Sequence, residues 1–216
     1  MIATAISALD WLVSPLPSGW AAEFFGDWGV VNVLMHRVAV VNAVSDRVAV
    51  VLTQDFGGLD PYLMARLVRV LRARCGEVLV ARGFKVEDTL ALFDKVLAEG
   101  FRKVLVVDPY LHLPNDPKKY WLGTAVTAGL RKLIHGGVEV AVFNRVSRFG
   151  IRAPEGGSFH HHSIQVLVRL SKGRLGIKAE LVKHPMKPYT VTYFKPEDLL
   201  NPPTARRTLL EWLGGH

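Results

Sequence analysis

Residues 22–33 read Ala-Glu-Phe-Phe-Gly-Asp-Trp-Gly-Val-Val-Asn-Val, and this stretch decides the fold. An apolar, strand-like segment runs into Gly26 and Gly29, and a long apolar segment compatible with a helix follows. A strand, a tight glycine turn and a helix N-terminus form the frame that holds nucleotide phosphates in many α/β proteins. The stretch therefore predicts an α/β domain built around this turn.

The residues that bind phosphate are missing from this frame. In the P-loop pattern G-x-x-x-x-G-K-[ST], counted from Gly26, the second glycine, the lysine and the hydroxyl residue are replaced by Val31, Asn32 and Val33. Asn32 carries no charge for a phosphate, and Val33 cannot ligate Mg²⁺. We therefore expect weak or absent ATP and Mg²⁺ binding and no cofactor. The simpler interpretation is that Gly26 and Gly29 only form a strand-to-helix turn.

Composition narrows the class of protein. The chain has 216 residues, of which 50% are hydrophobic, enough for one domain with an ample core. The single cysteine, Cys75, excludes an internal disulfide and fits a reducing compartment. Without a basic signal-peptide region or a membrane-spanning apolar run, we expect a cytoplasmic protein. The net charge of +8 favours a polyanionic partner such as nucleic acid.

Short apolar strands alternate with helices along most of the chain. The strands are predicted at residues 47–52, 78–81, 104–107 and 138–144, and the helices at 29–43, 60–74, 86–99 and 120–135. This alternation predicts a mainly parallel central sheet flanked by helices, with ligand sites at the carboxyl ends of its strands. Three turn-spaced strands at 164–170, 177–183 and 189–194 predict antiparallel pairing toward the C-terminus, and residues 204–213 a last short helix.

Several short motifs stand in a characteristic order: Ala8-Leu9-Asp10, Glu23-Phe24-Phe25-Gly26, Val-Ala-Arg-Gly-Phe at 80–84, Val106-Val107-Asp108, Phe-Asn-Arg-Val at 143–146, and Gly156-Gly157 followed by His162. With them the chain resembles the RecA/RadA-type recombinase core, as in archaeal RadA paralogs with a degenerate Walker A motif. The resemblance covers nearly the whole chain. It implies one RecA-like ATPase-core domain of P-loop fold over residues 1–216, without the N-terminal DNA-binding domain of a full recombinase.

The resemblance also assigns vestigial catalytic positions. Asp108 matches the Walker B aspartate, and Asp55 lies near the family's catalytic glutamate. Asn144 and Arg145 stand where the family has Asn-Gln, whose glutamine senses the γ-phosphate. Without the lysine and the hydroxyl residue, the charge neutralisation that phosphoryl transfer needs is gone, so we expect ATPase activity to be lost. Asp108 is equally explained as a hydrogen-bonded strand-end residue.

Positive charge is concentrated in the second half of the chain. Residues 145–187 contain nine Lys and Arg but two acidic residues. This predicts sequence-independent binding to DNA, preferably single-stranded, whereas the alternative is a solvated basic surface. By resemblance, residues 109–119 and 147–159 correspond to the family's first and second DNA-binding loops. The DNA-binding candidates are Lys118, Lys119, Arg145, Arg148, Arg152, His160, His162, Arg169, Lys172 and Arg174.

Three consecutive histidines, residues 160–162, lie inside the chain. In an extended conformation His160 and His162 share a face and could ligate a metal. Because no third ligand lies nearby in the sequence, we expect no metal. We expect instead that these histidines lie in a loop or at a strand start and touch DNA or a partner.

Together these features predict a non-catalytic RadA/RecA-like paralog, a DNA-binding or recombinase-binding accessory protein in homologous recombination and DNA repair. Its expected protein partner is a RadA-type recombinase or another paralog. Two alternatives remain open. One is a DNA-dependent ATPase that uses Asp108 and Asp55 in an unorthodox nucleotide site, and the other is a structural subunit that completes the ATP site of a partner.

Overall fold

The computed structural model describes residues 2–54, 58–114, 116, 119, 121–149 and 152–202. Six α-helices and eight strands lie in this described part of the chain. In order they are α1 (Ser7–Val13), β1 (Ala21–Gly26), α2 (Trp28–Asn42), β2 (Val48–Leu52), α3 (Pro61–Val70), β3 (Val78–Arg82), α4 (Val86–Ala98), β4 (Lys103–Val107), α5 (Trp121–His135), β5 (Glu139–Arg145), α6 (Gly157–Ser163), β6 (Val166–Gly173), β7 (Gly176–Lys183) and β8 (Thr190–Phe194). A short 3-10 helix, Pro196–Leu199, follows β8.

The eight strands form one sheet in the order β3-β2-β4-β5-β1-β6-β7-β8. The first six strands are parallel to one another, and the β6–β7 and β7–β8 pairs are antiparallel. The predicted α/β architecture is therefore confirmed, including the antiparallel strands toward the C-terminus. One detail differs, because β6 also pairs in parallel with β1. The α6 segment between β5 and β6 supplies the crossover that a parallel connection needs.

Each face of the sheet has its own apolar core. One core contains the buried residues of α1 and α2, and the other contains those of α4 and α5. Helix α2 is apolar on nearly all sides and packs against both the sheet and α3, so ten of its fifteen residues are buried. A helix with no polar face belongs in the interior of a layered domain. This helix starts directly after β1 and thereby fixes the geometry of the turn between them.

Two elements differ from those predicted from sequence. Helix α1 was not among the predicted helices, and its Leu9 and Leu12 are fully buried. Helix α3 ends at Val70 rather than near residue 74, since Arg72 adopts a left-handed conformation with φ of 50°. The helix predicted at residues 204–213 lies outside the described residues. Among the described helices, none is both long and apolar enough to cross a membrane.

Candidate functional site

The parallel strands bring the predicted site residues to one edge of the sheet. We call the edge where β1 to β6 end the carboxyl edge. Gly26 ends β1, Gln54 follows β2, Asp108 follows β4 and Arg145 ends β5. Loops after parallel strands lie side by side at such an edge, which is where open α/β sheets bind their ligands.

The turn between β1 and α2 consists of a single residue, Asp27. Gly26 is held at φ of 131°, and a side chain there would clash with the Leu170 carbonyl. Asp27 caps the helix, because its carboxylate accepts a hydrogen bond from the Val30 amide. The predicted strand-turn-helix is therefore present, but no loop surrounds a phosphate. A carboxylate occupies the helix N-terminus where a phosphate would bind.

The residues aligned with the P-loop signature lie inside α2. Val31 is fully buried in the core, and the Asn32 amide donates a 2.9 Å hydrogen bond to the Gly58 carbonyl. Val33 lines a cavity of about 390 Å³ beside the turn. Apolar side chains dominate its wall, with Lys172 as the cation; the lining residues are Gly29, Val30, Val33, Lys172, Gly173, Gly176, Ile177, Pro196, Leu199 and Leu200. None of the three aligned side chains is arranged to contact a phosphate.

Asp108 is a buried carboxylate with a cation from the protein beside it. Its Oδ2 accepts a 2.6 Å hydrogen bond from Arg145 Nε and a 3.4 Å bond from the Gln54 amide. The Arg145 guanidinium also lies 4.4 Å from the centre of the Trp28 ring, within cation–π range. The Asp108 carboxylate is therefore paired with a cation of the protein itself. Asp55 lies outside the described residues, and those residues contain no cluster of three metal-ligating side chains.

Further exposed cations follow the strands that end at the carboxyl edge. Lys119 follows β4, Arg152 follows β5, and Lys172 and Arg174 lie at the β6–β7 turn. Lys172 Nζ lies 3.7 Å from an Asp27 carboxylate oxygen. Within the described residues, Lys119, Arg152 and Arg174 form no ion pair, so their charges face solvent. Lys118 lies outside the part of the chain that the structure describes.

Arg148 is not a free loop cation. Its guanidinium lies 3.3 Å from the Tyr110 carbonyl, 3.4 Å from the Leu113 carbonyl and, through Nε, 3.3 Å from Glu155 Oε1. The contact with Oε1 is an ion pair without hydrogen-bond geometry, since that oxygen has no hydrogen bond within the described chain. The Arg148 amide donates a 2.7 Å bond to the other Glu155 oxygen. Arg148 therefore ties two loops together.

Two further candidates are engaged elsewhere. Arg169 lies within β6 and pairs at 3.8 Å with Glu180 on β7, with a side chain that is only 25% exposed. Arg145 is committed to Asp108, although its side chain remains 44% exposed. We expected both to contact DNA, and in the structure each is paired with a carboxylate of the protein.

The histidine predictions need correction. Residues 160–162 lie on α6, where residues two apart point to different sides, so the shared face of an extended chain is lost. His160 is fully buried, with Nε2 2.9 Å from Glu23 Oε2 and Nδ1 2.7 Å from the Tyr110 hydroxyl. It is therefore inaccessible to DNA. His162 is exposed but lies at the opposite edge of the sheet, beside a cavity that Arg131 and His135 also line.

Sequence reasoning missed the partners of these residues. Glu23 is fully buried within β1, and Tyr110 is fully buried after β4. A carboxylate in an apolar strand is the one sequence signal that could have found Glu23, because a buried charge must have a partner. The exposed aromatic side chains at the carboxyl edge also form a group. They follow four adjacent strands and are 60% to 87% exposed: Tyr62, Phe84, Trp121 and Phe149.

No protein-family profile matches the chain, and no curated protein matches it. Among solved structures, the chain is similar to the crystal structure of the RadB recombinase, with a TM-score of 0.75 and 17% identity over 93% of this chain and 98% of that one. It is also similar to a second solved structure, an ATPase domain, with a TM-score of 0.64 and 12% identity over 88% and 86% of the two chains. The chain therefore has the fold of a RecA-like recombinase core, as its sequence motifs predicted.

Proposed function

We propose that this protein is a cytoplasmic, non-catalytic RecA-like accessory protein of homologous recombination and DNA repair. In this proposal its carboxyl edge binds DNA, preferably single-stranded and without sequence preference. It acts without ATP, and it works with a RadA-type recombinase or another paralog. The fold neighbour described as a recombinase supports recombination as the setting.

The pairing of Arg145 with Asp108 carries the non-catalytic part of the proposal. Phosphoryl transfer needs a metal ion to neutralise the phosphates and a lysine to hold them. Here the Asp108 carboxylate is bonded to Arg145 Nε at 2.6 Å, and the Asp27 carboxylate caps the helix that would receive phosphate. An incoming Mg²⁺–nucleotide would have to displace the guanidinium and overcome the repulsion of Asp27. The unorthodox ATPase is disfavoured for the same reason.

The DNA-binding part of the proposal rests on the exposed cations and aromatic rings of the carboxyl edge. Lys119, Arg152 and Arg174 carry positive charges without a carboxylate partner in the described chain. Trp121 and Phe149 follow the same strands and are largely exposed. Proteins that bind single strands combine cations, which contact the phosphates, with aromatic rings, on which the bases stack. Phosphate contacts carry no base information, so sequence preference should be slight.

Fluorescence anisotropy with a labelled single strand of mixed sequence tests the proposal. We expect binding that is unchanged by ATP and Mg²⁺ and weakens as salt rises from about 50 to 200 mM, with a log–log slope of about −0.7 per phosphate contact. A matched duplex should bind more weakly, because its bases are not available for stacking. Binding that requires ATP, or ATP hydrolysis above background with DNA present, would contradict the proposal.

The recombinase-binding part needs its own experiment. We expect the purified protein to co-elute with a RadA-type recombinase in gel filtration after nuclease treatment, which removes bridging DNA. If the two proteins separate once DNA is gone, the partnership runs through DNA alone and direct recombinase binding is wrong.

A further inference from the structure

A chain of fully buried polar side chains lies beneath the carboxyl edge. Glu23 of β1 contacts His160 of α6 at 2.9 Å, and His160 contacts the Tyr110 hydroxyl at 2.7 Å. Tyr110 contacts Thr127 of α5 at 2.8 Å. All four residues are inaccessible to solvent. Buried polar groups are costly unless each is satisfied, so such a chain holds its members in one arrangement.

The donor of each hydrogen bond in this series of buried side chains can be assigned, starting from Thr127. The single Thr127 hydroxyl proton goes to the Gly123 carbonyl at 2.9 Å, so Thr127 accepts the Tyr110 proton. The Tyr110 oxygen then accepts from His160 Nδ1, which leaves one proton between His160 Nε2 and the Glu23 carboxylate. Glu23 Oε1 is satisfied separately, by the Asn144 amide at 2.7 Å. Removing any one hydroxyl or imidazole leaves a buried neighbour without its partner.

This polar chain also joins the two loops that carry the exposed cations Lys119 and Arg152. We call them the β4–α5 loop (described residues 108–114, 116 and 119) and the β5–α6 loop (described residues 146–149 and 152–156). Tyr110 belongs to the first loop. Asn144 bonds the Glu155 carbonyl of the second loop at 2.8 Å, and Gly156, at φ of 121°, lies so close to the Tyr110 ring that a side chain there would clash with it.

Contacts above the polar chain complete the connection. Glu155 accepts from the Arg148 amide, and Arg148 reaches the carbonyls of Tyr110 and Leu113 in the other loop. The two loops are therefore bonded to each other directly and, through Tyr110 and Asn144, to the same buried chain. All of these contacts join groups of the protein itself, so none of them depends on a bound nucleotide.

We propose that Tyr110 and His160 are positioning residues that hold the two cationic loops of the carboxyl edge in a binding-competent arrangement without a nucleotide. The inference rests on the proposed function, since it assigns these loops to DNA. Its physical basis is preorganisation: loops already ordered by internal bonds lose less conformational entropy on binding. His160 therefore serves DNA binding from the interior, not by touching DNA.

Hydrogen exchange combined with DNA binding tests this inference on the full chain. Tyr110→Phe removes one hydroxyl and keeps the ring against Gly156, and His160→Gln is a second variant should the first fold poorly. Val126→Ala is the matched control, because Val126 lies on α5 next to Thr127, is fully buried in the apolar core and makes none of these polar contacts. Amide exchange at residues 110–113 and 146–149 reports on the loops, and the melting temperature reports on the core.

We expect faster loop exchange in both polar-chain variants and a loss of DNA affinity of about tenfold, which ATP and Mg²⁺ do not restore. The control should lower the melting temperature at least as much but leave loop exchange and affinity unchanged. Loop exchange in Tyr110→Phe and His160→Gln equal to that of the parent would overturn the inference. If the parent itself fails to bind DNA, the proposed function is wrong, and the exchange comparison still decides whether these residues order the loops.

Discussion

Arg145 Nε lies 2.6 Å from Asp108 Oδ2, and the two partners depend on each other unequally. The Asp108 side chain is 2% exposed, whereas the Arg145 side chain is 44% exposed. A guanidinium that loses its partner can turn toward water, but a buried carboxylate cannot. The arginine is thus the residue on which the local stability of this edge depends.

Because of this difference in exposure, we expect two substitutions to lower the free energy of unfolding by different amounts. Arg145→Ala should lower the free energy of unfolding by about 2–3 kcal/mol, because it leaves a buried carboxylate with only the weak Gln54 bond. Asp108→Asn should cost about 1 kcal/mol, since asparagine tolerates the φ of 55° at this position and neutralises the buried charge. Urea unfolding at neutral pH measures both values.

A surface ion pair supplies the control for these two variants. Lys132 and Asp94 lie 2.7 Å apart, with both side chains more than 60% exposed. Lys132→Ala should therefore change stability by less than about 0.5 kcal/mol. Equal losses for Arg145→Ala and Asp108→Asn would show that the carboxylate is not the dependent partner.

The exposed cations of the carboxyl edge predict a change in salt dependence. Replacing Lys119 and Arg152 together by alanine should weaken single-strand binding and make the log–log salt slope shallower by about 0.7 for each phosphate that is no longer neutralised. Stability should hardly change, because neither side chain forms an ion pair in the described structure. The matched control replaces Lys95 and Lys132, exposed cations of α4 and α5 that pair with Glu99 and Asp94. An unchanged slope in the Lys119/Arg152 variant would remove these residues from the interface.

The fold could be predicted from sequence because its signals are local. Apolar strands such as residues 104–107 and the Asp60-Pro61 start of α3 determine their own conformations, and the structure has both elements. The parallel pairing of β6 with β1 could not be predicted in this way. It depends on α6, whose residues 157–163 have the composition of a loop.

The candidate site was less predictable, because its side chains meet only in three dimensions. Asp108 and Arg145 are 37 positions apart, and nothing in either segment indicates that one neutralises the other. His160 illustrates the opposite error. A polar residue in a basic, glycine-rich stretch suggested an exposed contact, but Glu23, 137 positions away, provides its buried partner. Net charge predicts a polyanionic partner without telling which cations are already paired.

Buried histidines predict a loss of stability in mild acid. Burial lowers the pKa of His36 below its ordinary value of 6.5, against the smaller opposing effects of its bond to the Asn32 carbonyl and of the nearby Asp60 carboxylate. Its Nε2 accepts a 2.7 Å bond from the Asp60 amide, which a protonated ring could not do. The unfolded chain therefore binds more protons than the folded one. The contribution of His36 to stability is complete above pH 6.5 and is lost as the pH falls through the lowered pKa.

Urea unfolding between about pH 7.5 and 5 measures this effect. His36→Gln should be less stable at neutral pH but show a flatter decline with acid. Some decline should remain, because burial also lowers the pKa of His161 and His184. A pH dependence as steep in His36→Gln as in the parent would assign the effect to other groups.

The last prediction concerns nucleotide binding, which two features oppose. One is the Arg145 guanidinium paired with Asp108, and the other is the Asp27 carboxylate at the start of α2. ATP with Mg²⁺ should bind no more tightly than about 1 mM, a free energy near −4 kcal/mol. Arg145→Ala frees the Asp108 carboxylate but should leave this affinity unchanged, because Asp27 still caps the helix and no loop donates amides to the phosphates. Isothermal titration calorimetry with both proteins gives the measurement, and Asp27→Asn/Arg145→Ala tests whether removing both charges is enough. We expect the double variant also to fail, since the missing loop cannot be replaced by removing charge. Micromolar ATP binding by the parent would show that the β1–α2 turn does accept phosphate. Micromolar ATP binding by Arg145→Ala alone would show that the guanidinium is the sole obstacle to nucleotide binding.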